Sequence, residues 1–183
     1  YSGVTTISGG TLQIGNGGTT GALGSGAVVN NSNLVFNRVD AYGTSVASAI
    51  SGTGALTLLA GTLTLAGANS FTGLTTVTAG TLQLSGGAAL ADSSTVSLAA
   101  AGSLRILSNE TIGTLSGAGT VNVVAADLTI GGSLASALTG LVVGSGGLVK
   151  SGNGTFTLSG ANTYSGLTTV NAGTLFLSGG ANR

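Results

Sequence analysis

GTLTLAGANSFTGLTTVTAGTLQLSGG, residues 61–87, is written again as GTFTLSGANTYSGLTTVNAGTLFLSGG at residues 154–180. Compared over 61–90 and 154–183, the two stretches differ at nine of thirty positions, mostly conservatively, as in Phe71 against Tyr164 and Ser70 against Thr163. Within each copy the apolar period is two. Leu63 and Leu65 alternate with Thr62 and Thr64, and Leu82 and Leu84 alternate with Thr81 and Gln83. That beat belongs to a strand with one buried face, and the Gly, Ser, Asn and Ala-Gly pieces between the runs belong to turns.

Working outward, the same beat recurs at Leu34/Phe36, Val96/Leu98, Leu104/Ile106, Val121/Val123 and Leu128/Ile130, in runs of four or five residues. No stretch keeps a 3.6-residue period with a charged face, so essentially no helix is expected. A shortened copy, YSGVTTISGGTLQIG at residues 1–15, aligns with the sequence from Tyr164. It lies 70 residues before the second copy, and the second lies 93 before the third; the difference of 23 is expected to be about one turn of a solenoid. Short strands could also build a sandwich or barrel, but near-identical copies far apart in the chain, small side chains and stackable edges favour a coil piled on itself. The expectation is an all-β parallel β-helix (β-solenoid) of roughly six to eight coils, each rising ~4.8 Å. Residues 1–183 then form one segment with repeat copies at 1–15, 61–90 and 154–183.

Composition bounds the rest. Only 4% of the 183 residues are charged, 42% are hydrophobic, 35 are glycine, and Pro, Cys, Met, Trp and His are absent. Ordinary globular chains carry about 25% charge. No run approaches the ~18 apolar residues of a membrane helix, and disorder favours high net charge and few aliphatics. Without cysteine there is no disulfide scaffold or zinc ribbon. The chain starts and stops inside copies of its own repeat, which reads as a fragment of a longer protein.

The residues GTLTLAGANSFTGLTTVTAGTLQL and GTFTLSGANTYSGLTTVNAGTLFL resemble the passenger-associated transport repeat, or autotransporter-associated β-strand repeat, of Gram-negative autotransporter passengers. The resemblance implies a right-handed β-helix, exported through an outer-membrane β-barrel that anchors the parent, and displayed on the cell surface. It implies a non-catalytic structural or adhesive segment, a stalk or fibre serving adhesion, aggregation or biofilm formation. A passenger threads its barrel unfolded, so cysteines would be a liability, and stability that accrues coil by coil suits folding outside the cell. Alternatives are a carbohydrate-active β-helix enzyme and an ice- or polysaccharide-binding solenoid.

Chemistry-bearing residues are few. The acids are Asp40, Asp92, Glu110 and Asp127; the bases are Arg38, Arg105, Lys150 and Arg183. Coil stacking could bring Asp92 or Glu110 near Asp127, as an acid pair for glycan cleavage would require. Solvated charges on turns and outward strand positions are the plainer expectation, with no catalytic, cofactor or metal residue assigned. Lack of His and Cys excludes imidazole bases, Cys nucleophiles and most transition-metal sites. GSGGLVKS at 144–151 fails as a phosphate loop, since Val149 stands where Gly must precede the Lys. No GxGxxG and no GGxGxD calcium repeat occurs. Four basic residues at zero net charge do not make a nucleic-acid stripe. Asn30-Asn31-Ser32, Asn109-Glu110-Thr111 and Asn153-Gly154-Thr155 match the glycosylation pattern but read as ordinary turns.

Further expectations concern packing. Thr62/Thr64 and Thr155/Thr157 are T-x-T pairs of the kind ice-binding faces rank, yet intermediate strands read SLRI, TVNV and DLTI. Tyr1, Phe71 and Tyr164 share one repeat position and are expected to pack on a neighbouring coil more than to form carbohydrate platforms. Leu63, Leu65, Leu82, Leu84, Leu158, Leu175 and Leu177 are expected to point inward. Gly80 and Gly173 are expected at equivalent turns that disfavour a side chain. Uncapped coil ends carry the expectation of end-to-end self-association or fibres, with host or surface polysaccharide as a further contact.

Overall fold

The alternating leucines form continuous columns. On one side of the molecule Leu63, Leu82, Leu104, Val121 and Val142 stack in register, and Leu65, Leu84, Ile106 and Val123 stack beside them, all buried. Each such side chain, fully withdrawn from water, contributes about 1.5–3 kcal/mol. The computed structural model describes residues 1–46 and 49–179, with side chains for 1–41 and 49–179. Among these the chain winds as a parallel β-solenoid of about 8 turns with no helix. The end of the third repeat copy, Arg183 included, lies outside the described residues.

Three faces surround the core. The first carries Thr5–Ile7, Val28–Asn30 and Ile50–Ser51, and resumes as Glu110–Ile112, Leu128–Ile130, Leu148–Lys150 and Thr168–Val170. In the gap, residues 69–71 and 88–90 run along the same side without strand pairing. Backbone bonds from Ser70 to Ile50 (2.9 Å) and from Asn69 to Ala88 (3.1 Å) hold them there. The second face is continuous: residues 11–14, 33–36, 55–58, 75–77, 95–98, 114–117, 136–138, 155–158 and 174–177 lie one above another. The third holds 62–65, 81–84, 103–106, 120–123 and 142–144.

Several strands are longer than the four or five residues expected. Ala55–Leu65, Thr75–Leu84 and Thr95–Ile106 run from the second face onto the third without a break. Small residues at the bend, Ala60-Gly61, Ala79-Gly80 and Ala101-Gly102, let the backbone turn a corner while its ladder to the next coil persists. Gly80 sits there with φ 82° and Gly173 with φ 68°, in the left-handed region expected of them. For Gly80 the setting is a corner within a continuous strand, whereas Gly173 lies in the expected turn, between Thr168–Val170 and Thr174–Leu177. A Cβ on Gly80 would meet the carbonyl oxygen of Gly61 in the preceding coil, and one on Gly173 those of Gly152 and Gly154.

Coil phase refines the reading of the 23-residue difference as about one turn, making it one and one-third coils. Register partners are 17 to 23 residues apart, from Ser103–Thr120 to Thr5–Val28. The 93-residue spacing is therefore four and two-thirds coils, and the 70-residue spacing three and one-third. The first and third copies occupy the same faces, with Thr5–Ile7 and Thr168–Val170 both on the first. The second copy sits one face out of phase, its Thr75, Thr76 and Val77 lying on the second face.

The inward leucines are placed as expected with one exception. Leu63, Leu65, Leu82, Leu84 and Leu158 are buried, and Leu175 is half-buried against the core. Leu177 pairs with Leu158 but is 47% exposed, because no described coil lies across it.

The aromatic position also has a local explanation. Tyr164 Oη lies 2.6 Å from Thr168 Oγ1, and Thr5 Oγ1 donates to Tyr1 Oη at 3.1 Å, the same spacing of four residues. In the second copy Phe71 is fully buried and has no hydroxyl. Thr75, its counterpart partner, has a buried Oγ1 without a hydrogen bond. Phe71→Tyr is expected to supply that bond and raise stability by about 0.5–1.5 kcal/mol. Urea unfolding of the two proteins measures it; an unchanged or lowered midpoint would show that the site has no room for the hydroxyl.

Candidate functional site

Of the three acids considered for catalysis, Glu110 and Asp127 lie where the chain enters the first face on successive coils, whereas Asp92 lies on the turn by which the chain leaves that face. Their environments differ. Asp92 stands exposed on the turn at residues 91–94. Asp127, also exposed, accepts the Gly147 N–H at 2.8 Å, and its own N–H donates to Asn109 Oδ1 at 2.9 Å. Glu110 is only 2% exposed. Its two carboxylate oxygens accept the N–H of Leu90 at 2.7 Å and of Ala89 at 3.2 Å. That carboxylate replaces the ladder missing between residues 88–90 and the strand at Glu110–Ile112. Asn109 bonds forward to one coil and Glu110 backward to the other, so this pair of adjacent residues fastens three coils together.

Burial pushes the Glu110 carboxyl above its usual range; the two N–H bonds oppose that shift and the nearby Asp92 charge adds to it. The fold thus binds this proton more tightly than the unfolded chain does. Linkage then makes its contribution to stability fall as pH rises from the unfolded value, near 4.5, through the higher folded one, and level off above that. Asp40 acts in the opposite sense, since the hydrogen bond and charge of Arg38 hold its carboxyl low. The difference between wild type and Glu110→Gln isolates the first term. Relative to that variant, wild type is expected to gain stability as pH is lowered from 7 toward 4.5; a relative loss over that interval would sink the assignment.

Expectation and structure part company over two charges. Glu110 and Lys150 are inward-facing and buried, where solvated outward positions were expected. Glu110 is tolerated because backbone donors meet both oxygens. Lys150 stacks between Ile130 and Val170, and its amine donates to the Gly152 carbonyl at the adjacent corner. Burial lowers its pKa. Arg38 and Asp40 do lie on the surface side, paired at 2.7 Å. The same guanidinium donates to the carbonyls of Gly21 and Thr19, fastening the loop of one coil to the next. Among the described residues no group of three or more His, Cys, Asp or Glu is placed to hold a metal ion.

The outward surfaces are mostly hydroxyl, amide and methyl. On the second face the central outward column runs from Gln13 through Thr57, Thr76, Ser97 and Ser116 to Thr157 and Phe176 without a charge. The T-x-T pairs do not form one rank: Thr62/Thr64 lie on the third face and Thr155/Thr157 on the second. The aromatics form no shared platform either. Tyr1 is 74% exposed, Phe71 is buried and Tyr164 is half-buried. Of the glycosylation matches, Asn30 is buried and holds Ala55 O and Ser32 N.

Two residues that sequence reasoning passed over prove important. Asn69 accepts the Ile50 N–H at 2.8 Å and donates to Gly67 O at 3.0 Å and Ala89 O at 2.7 Å. Asn162 accepts the Val142 N–H at 2.8 Å and donates to Gly160 O at 3.0 Å. The signal was the Gly-Ala-Asn triplet, identical in both long copies, with an amide amid small and aliphatic neighbours.

Comparison with known proteins finds matches to one repeat family. The passenger-associated transport repeat matches residues 1–14, 60–84 and 148–182. A 57-residue stretch, 31% of this chain, is 53% identical to the adhesin BmaC autotransporter of Brucella suis biovar 1 (strain 1330), and spans 2% of that protein. No solved structure matches the chain significantly.

Proposed function

The chain carries the passenger-associated transport repeats of an autotransporter passenger, and from that premise we propose that it is a non-catalytic spacer and adhesive segment of a Gram-negative surface protein. The observation that supports this most directly is how its polar interior is used. Asn30, Asn69, Glu110 and Asn162 all spend their side chains on the backbone of an adjoining coil or corner. Such groups build length and rigidity.

In this reading an outer-membrane β-barrel anchors the parent, and the solenoid holds more distal parts away from the cell. The uncharged outward column of the second face suits contact with neutral polysaccharide or with another passenger, as in adhesion, aggregation or biofilm formation. In the isolated chain, inward-facing Val170 and Leu177 of the last described coil are 51% and 47% exposed, which favours end-to-end self-association.

The test compares cells displaying the parent with cells displaying a parent lacking residues 61–153. Shorter reach of a distal epitope together with reduced adherence or clumping is expected. Unchanged reach and unchanged adherence would overturn the proposal. Sedimentation of the isolated chain addresses self-association, and a monomer at tens of micromolar would remove that part.

A further inference from the structure

The second and third repeat copies perform the same local tasks on different sides of the solenoid. Residues 62–65 lie on the third face, whereas their counterparts 155–158 lie on the second; residues 75–77 lie on the second, whereas 168–170 lie on the first. A unit designed for one face would lose its contacts under that displacement. These copies keep theirs.

Asn69 and Asn162 accept an N–H from the preceding coil at 2.8 Å in both cases, and each donates to the carbonyl two residues earlier at 3.0 Å in both cases. Gly80 and Gly173 both take positive φ where the carbonyls of the preceding coil leave no space for a side chain. What the displacement does change is the direction of the outward residues. Leu74 and Leu167 hold the same repeat position and are 44% and 84% exposed, but one stands before the second face and the other before the first. No external ligand could read both along one stripe.

We infer that the repeat is a portable coil coupler: the backbone of the adjoining coil in the same chain is what recognises it, on whichever of the three faces it enters. The Asn of Gly-Ala-Asn is its positioning residue, taking over a backbone N–H that the strand ladder does not reach. Glycine provides the close corner. Phase is then left to the spacers, whose length decides which face each copy meets. This inference does not depend on the adhesive reading above.

Hydrogen exchange at two amides tests it. Asn69→Ala is expected to accelerate exchange of the Ile50 amide by ~10-fold or more, and Asn162→Ala to do the same at Val142. Asn171→Ala, on an exposed turn, is expected to leave both amides unchanged. A repeat bound to one face would respond at only one of the two sites, and that result would overturn the inference. A second variant covers the case in which either alanine protein fails to fold. Residues 61–84 and 154–177 are exchanged, so that each copy enters the other's faces. Cooperative melting within ~3 °C of wild type is expected; loss of cooperative unfolding in the exchanged protein would refute portability. No change at either amide in the Asn variants would refute the role given to the asparagine.

Discussion

Leu82→Ala is expected to lower unfolding stability by about 2–5 kcal/mol, among the largest losses a single side chain of this protein can produce. Leu82 is 0% exposed and lies between Leu63 and Leu104 in one inward column. Removing it deletes its own transfer free energy and leaves a cavity that two neighbouring coils are too closely laddered to collapse into. Because a solenoid is stabilised largely by coupling between adjacent coils, the damage falls on both interfaces of one coil. Leu177→Ala is the internal control. That side chain occupies the same kind of position but is 47% exposed, so a loss below about 1 kcal/mol is expected. Urea unfolding of both variants provides the comparison, and equal losses would show that column position does not govern stability here.

The second large effect separates backbone strain from collision. Gly80→Ala is expected to cost about 2–5 kcal/mol, the sum of a left-handed conformation held by a non-glycine residue and a Cβ driven against Gly61's carbonyl oxygen. Gly10 has φ 71° but nothing within 4 Å of a Cβ. Gly10→Ala should therefore show the strain alone, about 1–2 kcal/mol. The difference between the two is the collision. Equal thermal shifts would mean that the neighbouring carbonyl moves aside freely.

Much of the fold was legible because the strand period is two wherever one side is buried. Leu63/Leu65, Leu82/Leu84 and Leu104/Ile106 announce inward columns with no need of tertiary information. Coil phase was not legible in the same way. A strand looks alike on any of three faces, and only the register between Thr75 and Leu56 against that between Thr168 and Leu148 reveals the displacement. The buried polar groups were hidden for a different reason. Glu110 and Asn69 are acceptable inside only because backbone N–H groups from residues 20 and 19 positions away reach them, and composition carries no trace of that meeting. Conversely, coil stacking that could bring Asp92 or Glu110 near Asp127 suggested an acid pair, whereas Glu110 and Asp127 are committed to amides of neighbouring coils.

The offset between the repeats has a consequence for the gene. Segments that encode similar repeats invite unequal crossing-over, and those of the two long copies are the natural substrates. An exchange joining the start of the second copy to the third would delete 93 residues and shorten the solenoid by ~22 Å at ~4.8 Å per coil. Everything downstream would then rotate by one face relative to everything upstream. An exchange between the first and third copies would remove eight whole coils and cause no rotation. A lineage that recombines within its own repeats can thus alter the length of its solenoid and the bearing of its outward residues by separate events, while the junction in either case remains an intact copy.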